Sequence, residues 1–188
     1  MSALTLLIIR HAEKLGEAWP GPGLTDAGVS DDKSLVIRGW QRAGAWAALF
    51  GAGLGGANYP KPARIYAATP GQDDKDNKGA SKRPFETICA LAPRLGITAD
   101  TSFGLGDEAA LMAKVLGQSG VVLIAWEHKA IAGLIVPKIP VASGTPPDKW
   151  PGDRFDVVLR FDRAAGATKF AYRQLFPCLL SGDSETPF

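Results

Sequence analysis

The chain has 188 residues, of which 46% are apolar and 21% are charged, a composition typical of one globular domain over residues 1–188. A formal net charge of +2, without clustered Lys and Arg, argues against general nucleic-acid binding. No apolar stretch approaches the roughly 20 residues that span a bilayer, and no basic region precedes the apolar start. We therefore expect a cytoplasmic protein that binds no membrane.

The first part of the chain predicts a buried strand followed by a helix. Residues 4–9 form a continuous β-branched and aliphatic run, which is typical of a strand buried on both faces of a parallel sheet. Apolar residues then recur at helical spacing over residues 35–50, with Ser34 as the predicted N-cap and a glycine-rich stop after Phe50. This order indicates a strand–helix crossover.

The middle of the chain predicts a second strand and helix separated by an insertion. Residues 64–68 favour a short strand, and a helix is expected from Ser81 to Leu95 with Pro84 in its first turn. Between them, residues 71–80 are polar and have no apolar periodicity, which predicts a solvated loop. Such a loop could cap a pocket and select substrates, but a plain surface loop is the favoured interpretation.

The last part of the chain contains a second continuous apolar run. A helix over residues 108–116 leads into residues 121–126, which again predict a buried parallel strand. This strand ends at Glu127-His128, and a short helix follows through Ile135. Residues 156–161 and 169–175 alternate around Gly166, which predicts a C-terminal hairpin or edge strand pair.

Together these elements predict an α/β fold. We expect a three-layer α/β/α sandwich with a mostly parallel open sheet, helices on both faces and the C-terminal hairpin or edge pair. Such sheets bind ligands beyond the carboxyl ends of their strands. The chain has only two histidines, His11 and His128, and each lies just after a predicted buried strand. The two histidines therefore predict one site.

Cysteines and histidines give no metal-binding pattern. Cys89 and Cys178 lie in apolar contexts without CxxC spacing, so both are predicted to be small, buried, reduced side chains. No HExxH or paired CxxC accompanies His11 and His128. We therefore expect no metal and no other cofactor.

Four blocks of sequence occur in an order shared with one enzyme family. They are Arg10-His11-Ala12-Glu13, residues 35–43 with Gly39 and Arg42, Arg83 with Glu86 and Thr87, and residues 121–128 with His128. This order resembles the histidine phosphatase superfamily, in its phosphoglycerate mutase-like, branch 1 type. The chain departs from the usual pattern at Arg42, where Gln is common, at Lys129, where Gly is common, and in the insertion at residues 71–80.

The resemblance implies a phosphatase that hydrolyses phosphate monoesters through a phosphohistidine on His11. Arg10, Arg83 and His128 would bind the phosphate, and His128 would also be catalytic by neutralising charge on the phosphoryl oxygens. The residue types suit this chemistry, because arginine is a permanently charged, two-pronged donor. Nearby arginines also disfavour protonation of an imidazole, which leaves it a competent nucleophile. No metal is required for these roles.

The resemblance also implies a carboxylic acid that protonates the leaving group, between Arg83 and His128 in sequence. Glu108, at the start of a predicted helix, matches this position best. Asp107 and the strand-end Glu127 stay open as alternatives.

The substrate is expected to be a small phosphorylated metabolite or a phosphoprotein. The motifs do not choose between these classes, and they indicate no oligomeric state. A phosphate-binding regulatory module with weak or no turnover is the alternative interpretation, since Lys129 and the open choice of proton donor leave room for it. A phosphomutase is a further, less favoured alternative.

Overall fold

The structure is a computed structural model that describes residues 1–16, 19–71 and 81–188. Within these ranges the strands are β1 (Leu4–Arg10), β2 (Arg64–Ala67), β3 (Gly120–Trp126), β4 (Val141–Ser143), β5 (Val158–Arg163) and β6 (Phe170–Leu175). The helices are α1 (Ile37–Ala52), α2 (Arg83–Ile88), α3 (Leu91–Arg94), α4 (Glu108–Leu116) and α5 (His128–Ala130). A 3-10 turn, Gly56–Asn58, follows α1, and α5 continues as a π-helical turn over Ile131–Ile135 and a 3-10 turn over Val136–Lys138.

The strands lie in the order β2-β3-β1-β5-β6-β4. β2, β3 and β1 run parallel, whereas β5 is antiparallel to both β1 and β6, and β4 pairs in parallel with β6. The antiparallel β5–β6 pair confirms the predicted hairpin. The parallel part of the sheet places the carboxyl ends of β1 and β3 side by side.

The centre of the sheet explains why the middle of β1, Leu6 to Ile9, is apolar at every position. Leu6 and Ile8 pack into a core with α4 and the turns after α5, whereas Leu7 and Ile9 pack into a second core with α1, α2 and α3. Because successive strand residues point to opposite faces, a strand covered by helices on both sides needs apolar residues throughout. Each such buried side chain contributes about 1.5–3 kcal/mol. The predicted three-layer arrangement is confirmed.

The N-terminus of α1 differs from the prediction. The helix begins at Ile37, and Val36 occupies the N-cap position without a side-chain cap bond. The hydroxyl of Ser34 instead lies 2.9 Å from the Asp31 carboxylate and 2.7 Å from that of Glu86. Ser34 therefore joins two neighbouring segments, and the prediction that it caps α1 is wrong.

The helix predicted to start at Ser81 is divided into α2 and α3. Pro93 has no amide hydrogen for the carbonyl of Cys89, four residues earlier, so helical hydrogen bonding is interrupted between the two pieces. Pro84 lies in the first turn of α2, as predicted, where a missing amide hydrogen costs nothing.

The two cysteines differ from the prediction. Cys178 is exposed and Cys89 is half-buried, so the prediction that both are buried is wrong. Cys178 lies in the irregular segment after β6, where it adopts a positive φ of 47°.

The predicted polar loop at 71–80 falls outside the described residues, apart from Gly71. In the described part of the chain, no helix is long and apolar enough to cross a bilayer.

Candidate active site

The two histidines meet at the carboxyl edge of the parallel strands. Arg10 pairs with Trp126 in the β1–β3 register, and the amide of His11 donates to the Trp126 carbonyl at 2.9 Å. This pairing brings the rings of His11 and His128 to a centroid distance of 6.5 Å, nearly perpendicular at 83°. The sequence prediction that the two strand ends form one site agrees with this geometry.

A cavity of 540 Å³ opens beside the two rings. Its walls include His11, His128, Arg83, Lys14, Asp107 and Glu127. Of the five predicted site residues, His11, Arg83 and His128 line the cavity. A fourth, Glu108, does not. The fifth, Arg10, is the last residue of β1, directly before His11; it is 1% exposed and is not among the residues that line the cavity.

The His11 ring is held as a neutral base. Its Nδ1 lies 2.8 Å from the carbonyl oxygen of Ala12, and because a carbonyl only accepts, Nδ1 carries the proton. Nε2 is then the unprotonated nitrogen. Burial, followed by the positive charges of Arg10 and Arg83, lowers the pKa of His11 to about 3, although the Ala12 hydrogen bond acts in the opposite direction. His11 is therefore neutral at physiological pH.

Arg10 is buried with part of its hydrogen-bonding capacity unused. Its Nη1 donates to the carbonyls of Pro151, Gly152 and Arg154 at 3.2, 2.8 and 3.1 Å. Its guanidinium carbon lies 3.8 Å from the centre of the Phe155 ring. Among the described residues, the buried Nε and Nη2 have no hydrogen-bond partner. Burial lowers the pKa of Arg10 to about 10, so the side chain is still a cation at neutral pH.

Arg83 enters the cavity from the first residue of α2. Its Nε and Nη2 donate to the carbonyls of Lys33 and Asp32 at 3.3 and 3.2 Å. Burial lowers its pKa, while the carboxylates of Glu86 and Asp31 oppose that shift. These contacts fix the plane of a second guanidinium at the cavity wall.

His128 is in close contact with the residue before it. The Nδ1 of His128 lies 2.6 Å from Glu127 Oε1, although the carboxylate is off the direction needed for a well-aligned hydrogen bond. Glu127 Oε2 accepts from the amide of Ala130 at 2.8 Å and so caps α5. Burial raises the pKa of Glu127, but its contacts with His128 and the backbone amides outweigh that effect and hold the pKa at about 2. Glu127 is therefore ionised at neutral pH.

The predicted proton donor and its neighbour are oriented differently. Glu108 is 2% exposed, and its carboxylate accepts from the indole nitrogen of Trp126 at 3.0 Å and from the amide of Gly106 at 3.0 Å. Asp107 lies on the cavity wall, where its Oδ2 accepts from the amide of Gly104 at 2.9 Å. Adjacent residues at a helix start point in different directions, which sequence proximity alone does not reveal.

The Arg83-x-x-Glu86-Thr87 motif joins three parts of the site. The Glu86 carboxylate accepts from the amide of Leu35 at 2.9 Å. The Thr87 hydroxyl accepts from the amide of Ala12 at 2.7 Å and donates to the carbonyl of Arg83 at 2.7 Å. One helix therefore positions Arg83 and also fixes the backbone directly after His11.

Gly39 allows α1 to pack against that same backbone. A Cβ at position 39 would lie 2.4 Å from the carbonyl oxygen of Glu13, well inside van der Waals contact. The Val36 amide donates to this carbonyl at 3.2 Å. The glycine of the second sequence block is thus required by the close approach of α1.

A buried ion cluster behind the site could not be found by sequence reasoning. Arg42 is 2% exposed, and its Nη2 lies 2.7 Å from the carboxylates of both Glu13 and Asp183. Burial lowers the pKa of Arg42, but these two carboxylates outweigh it and raise the pKa. Arg38 lies 3.6 Å from Glu13 and 3.8 Å from Asp183, outside the cavity. The only signal in the sequence was the unusual Arg42.

The described residues also include no metal-binding cluster: over 1–16, 19–71 and 81–188, no group of three or more His, Cys, Asp or Glu side chains is arranged to hold a metal ion.

No protein-family model matches the chain, and no curated protein does. Among solved structures, it is similar to the protein histidine phosphatase SixA complexed with tungstate, with 13% identity and a TM-score of 0.54 over 93% of this chain and 97% of that chain. It is also similar to a native mycobacterial glucosyl-3-phosphoglycerate phosphatase, with 15% identity and a TM-score of 0.50 over 93% and 98% of the two chains.

Both similarities extend over nearly the full length of each chain. The chain therefore has the histidine phosphatase fold, and the resemblance found in its sequence is confirmed at the level of the fold.

Proposed function

We propose that the chain is a phosphatase of the histidine phosphatase superfamily that hydrolyses phosphate monoesters through a transient phosphohistidine on His11. The observation that carries the proposal is a buried arginine, Arg10, whose Nε and Nη2 have no hydrogen-bond partner among the described residues, directly before a neutral histidine whose Nε2 is unprotonated. An unpaired buried donor costs about 1–3 kcal/mol. A bound phosphate would accept from both donors and offset that cost.

In the first step, Nε2 of His11 attacks the phosphorus atom. A P–N bond forms as the ester P–O bond breaks, and the electron pair of that bond leaves with the alcohol oxygen. The neutral ring needs no base to remove a proton before it attacks. Its Nδ1–H bond to the Ala12 carbonyl stabilises the positive charge that develops on the ring.

Electrostatic contacts support the transfer. Arg10 and Arg83 would supply fixed, charged donors to the equatorial oxygens of the phosphoryl group. His128, which follows the carboxyl end of β3, would supply a third contact. Water then attacks the phosphohistidine and gives a proton to the carboxylate that had protonated the alcohol. The P–N bond breaks, and inorganic phosphate leaves with His11 and the acid restored. The chain's own cations perform the charge neutralisation, so the proposed reaction needs no metal.

Asp107 is the proposed proton donor to the leaving group. It lies on the cavity wall, whereas the carboxylate of Glu108 is bound by Trp126 and Gly106. Glu127 lines the cavity too, but a pKa of about 2 makes it a poor proton donor at neutral pH. Glu108, predicted from sequence as the best match, is assigned here to orienting the loop that carries Asp107.

The size of the cavity favours a small substrate. Its 540 Å³ falls within the roughly 300–1,000 Å³ of small-molecule sites. A small phosphorylated metabolite, the class named for the mycobacterial neighbour, fits this volume better than a folded phosphoprotein, the class suggested by the name of SixA.

A phosphate-binding module with weak turnover is the second candidate function. It is favoured by the position of Glu108 outside the cavity and the ionised state of Glu127, which leave one carboxylate, Asp107, among the three predicted donors. Phosphate binding without steady-state hydrolysis would support it.

A turnover screen tests the proposal. A panel of aryl, sugar and short-chain alkyl phosphates is assayed with and without a chelator, next to a phosphopeptide. We expect hydrolysis of the small esters that is unchanged by chelation and inhibited by tungstate. Absence of turnover on the whole panel, or activity that is lost to the chelator and restored by a divalent cation, would contradict it.

A further inference from the structure

The phosphate-binding role of Arg10 depends on a turn that lies far from it in sequence. Nη1 of Arg10 donates to three backbone carbonyls of residues 151–154. The Phe155 ring lies against the face of the Arg10 guanidinium. These contacts fix the plane of the group and its rotation within that plane. They consequently decide where the unpartnered Nε and Nη2 point.

The turn itself has no regular secondary structure to hold it. Residues 144–157 lie between β4 and β5 without a helix or strand. Within the turn, the carbonyl of Arg154 accepts from Arg10 and also from the indole nitrogen of Trp150 at 2.9 Å. A backbone of this kind needs side-chain contacts to remain in one conformation.

The Arg154 side chain supplies such contacts. Its Nε donates to Asp156 Oδ1 at 2.8 Å, its Nη1 to the carbonyl of Thr186 at 2.6 Å and its Nη2 to that of Ser184 at 2.9 Å. The Ser184 amide in turn donates to Asp156 Oδ2 at 2.7 Å. One guanidinium therefore ties the turn to the segment that follows β6.

The segment that follows β6 has a second anchor, through Asp183 and Arg42 to Glu13. Asp183 accepts from Arg42, which also binds Glu13, two residues after His11. The segment after β6 thus connects the supports of both Arg10 and His11. Arg154 and Asp183 do not line the cavity, and their hydrogen bonds go to other groups of the protein.

From these contacts we infer that Arg154 is a positioning residue: it holds the 151–154 turn so that Nε and Nη2 of Arg10 face the phosphate. The inference rests on the proposed function, because it takes Arg10 to be a phosphate ligand. Its effect on binding and rate passes through Arg10 alone. A displacement of about 1 Å in such a ligand can lower a rate by about 10²-fold.

Arg160 offers a matched control. Like Arg154, it pairs with the carboxylate two residues later, here Asp162 at 2.7 Å, and it donates to two backbone carbonyls, those of Ala57 and Asn58. Its side chain is 12% exposed, against 14% for Arg154. It makes no contact with the 151–154 turn or the cavity. Replacing it removes the same kind of interaction without affecting Arg10.

The experiment compares Arg154→Met with Arg160→Met in the full chain. Dissociation constants for inorganic phosphate and tungstate are measured by calorimetry, with kcat and KM for an aryl phosphate and the unfolding midpoint of each variant. We expect Arg154→Met to bind phosphate about 10-fold to 100-fold more weakly. Arg160→Met should bind as the wild type does, although both variants lose stability. Equal phosphate affinity in the two folded variants would overturn the inference.

A double-mutant cycle separates positioning from general structural support. In an Arg10→Met background, adding Arg154→Met should not weaken phosphate binding further, because the group it positions is already gone. Additive losses would show that Arg154 acts by another route and would overturn the inference. If Arg154→Met does not fold, Arg154→Lys is used in the same cycle, since it keeps the contact with Asp156 but loses the two-pronged donation.

The outcomes also distinguish the inference from the proposed function. A wild-type chain that neither binds phosphate nor hydrolyses any ester contradicts the function. A wild type that binds phosphate, together with an Arg154 variant that binds it equally well, contradicts only the positioning role.

Discussion

Arg10 and Arg42 are almost equally buried, at 1% and 2% exposure, yet their surroundings are opposite. Arg42 lies between the carboxylates of Glu13 and Asp183, which raise its pKa above the usual value in spite of burial. Arg10 pairs with no carboxylate within the described ranges, keeps two donors unused, and has its pKa lowered to about 10. A structural arginine is satisfied by its own protein, whereas a binding arginine is left incomplete for its ligand. Substitutions at Arg42 and Arg10 test this contrast.

The largest effect is expected on stability, at Arg42. Arg42→Met leaves Glu13 and Asp183 buried without their main partner, and breaking such a pair typically costs about 3–5 kcal/mol. Denaturant unfolding measures the change in the free energy of unfolding. Arg163→Met is the control, because Arg163 is also buried but donates to backbone carbonyls such as that of Leu116. A smaller loss at Arg42 than at Arg163 would contradict the structural role.

The next effect is on activity, at Arg10. Arg10→Met should lower kcat/KM by about 10²–10³-fold, as the loss of one preorganised donor to a transition-state oxyanion does. Steady-state kinetics with an aryl phosphate measure it, on protein whose folding is checked by circular dichroism. A folded variant with the wild-type kcat/KM would place Arg10 outside the phosphate site.

A third prediction concerns the proton donor. Asp107→Asn should slow hydrolysis of alkyl phosphates by about 10²-fold but spare an aryl phosphate, whose phenolate leaves without a proton. Glu108→Gln and Glu127→Gln are assayed on the same esters. If Glu108→Gln shows the leaving-group dependence and Asp107→Asn does not, the sequence-based choice of Glu108 is correct and the assignment to Asp107 is wrong.

The last of these predictions concerns the protonation of His11. Its folded pKa of about 3 lies below the ordinary value of 6.5, so the unfolded chain binds the extra proton first as pH falls. The stability contribution of neutral His11 is complete at pH 7 and is lost as pH falls from about 6.5 towards 3. Nitrogen NMR is straightforward with two histidines in the chain. We expect an Nδ1–H neutral ring at pH 5, and a midpoint near 6.5 would contradict it.

The sequence predicted the parts of the fold that depend on local pattern. The aliphatic runs before Arg10 and Glu127 identified β1 and β3, because helices on both faces impose apolar residues at every position. Position in that sheet was then enough to bring His11 and His128 together. These inferences need no knowledge of individual side-chain directions.

The features that were not predicted depend on orientation or on long separations in sequence. Glu108 and Asp107 are adjacent, and only the helix geometry decides that Asp107 lies on the cavity wall. The contact of Arg42 with Asp183 spans 141 residues, and that of Arg10 with Pro151 spans the same number. No local spacing reports such pairs.

Trapping the phosphoenzyme tests the central claim most directly. Labelled aryl phosphate is mixed with the wild type and with His11→Ala, the reaction is stopped within milliseconds, and the site of the label is identified by peptide mapping. We predict a label on His11 that is stable to base and labile to acid, and no label in His11→Ala, whose turnover falls at least ~10³-fold. A label on a serine or aspartate, or a folded His11→Ala variant with near-normal turnover, would contradict the account.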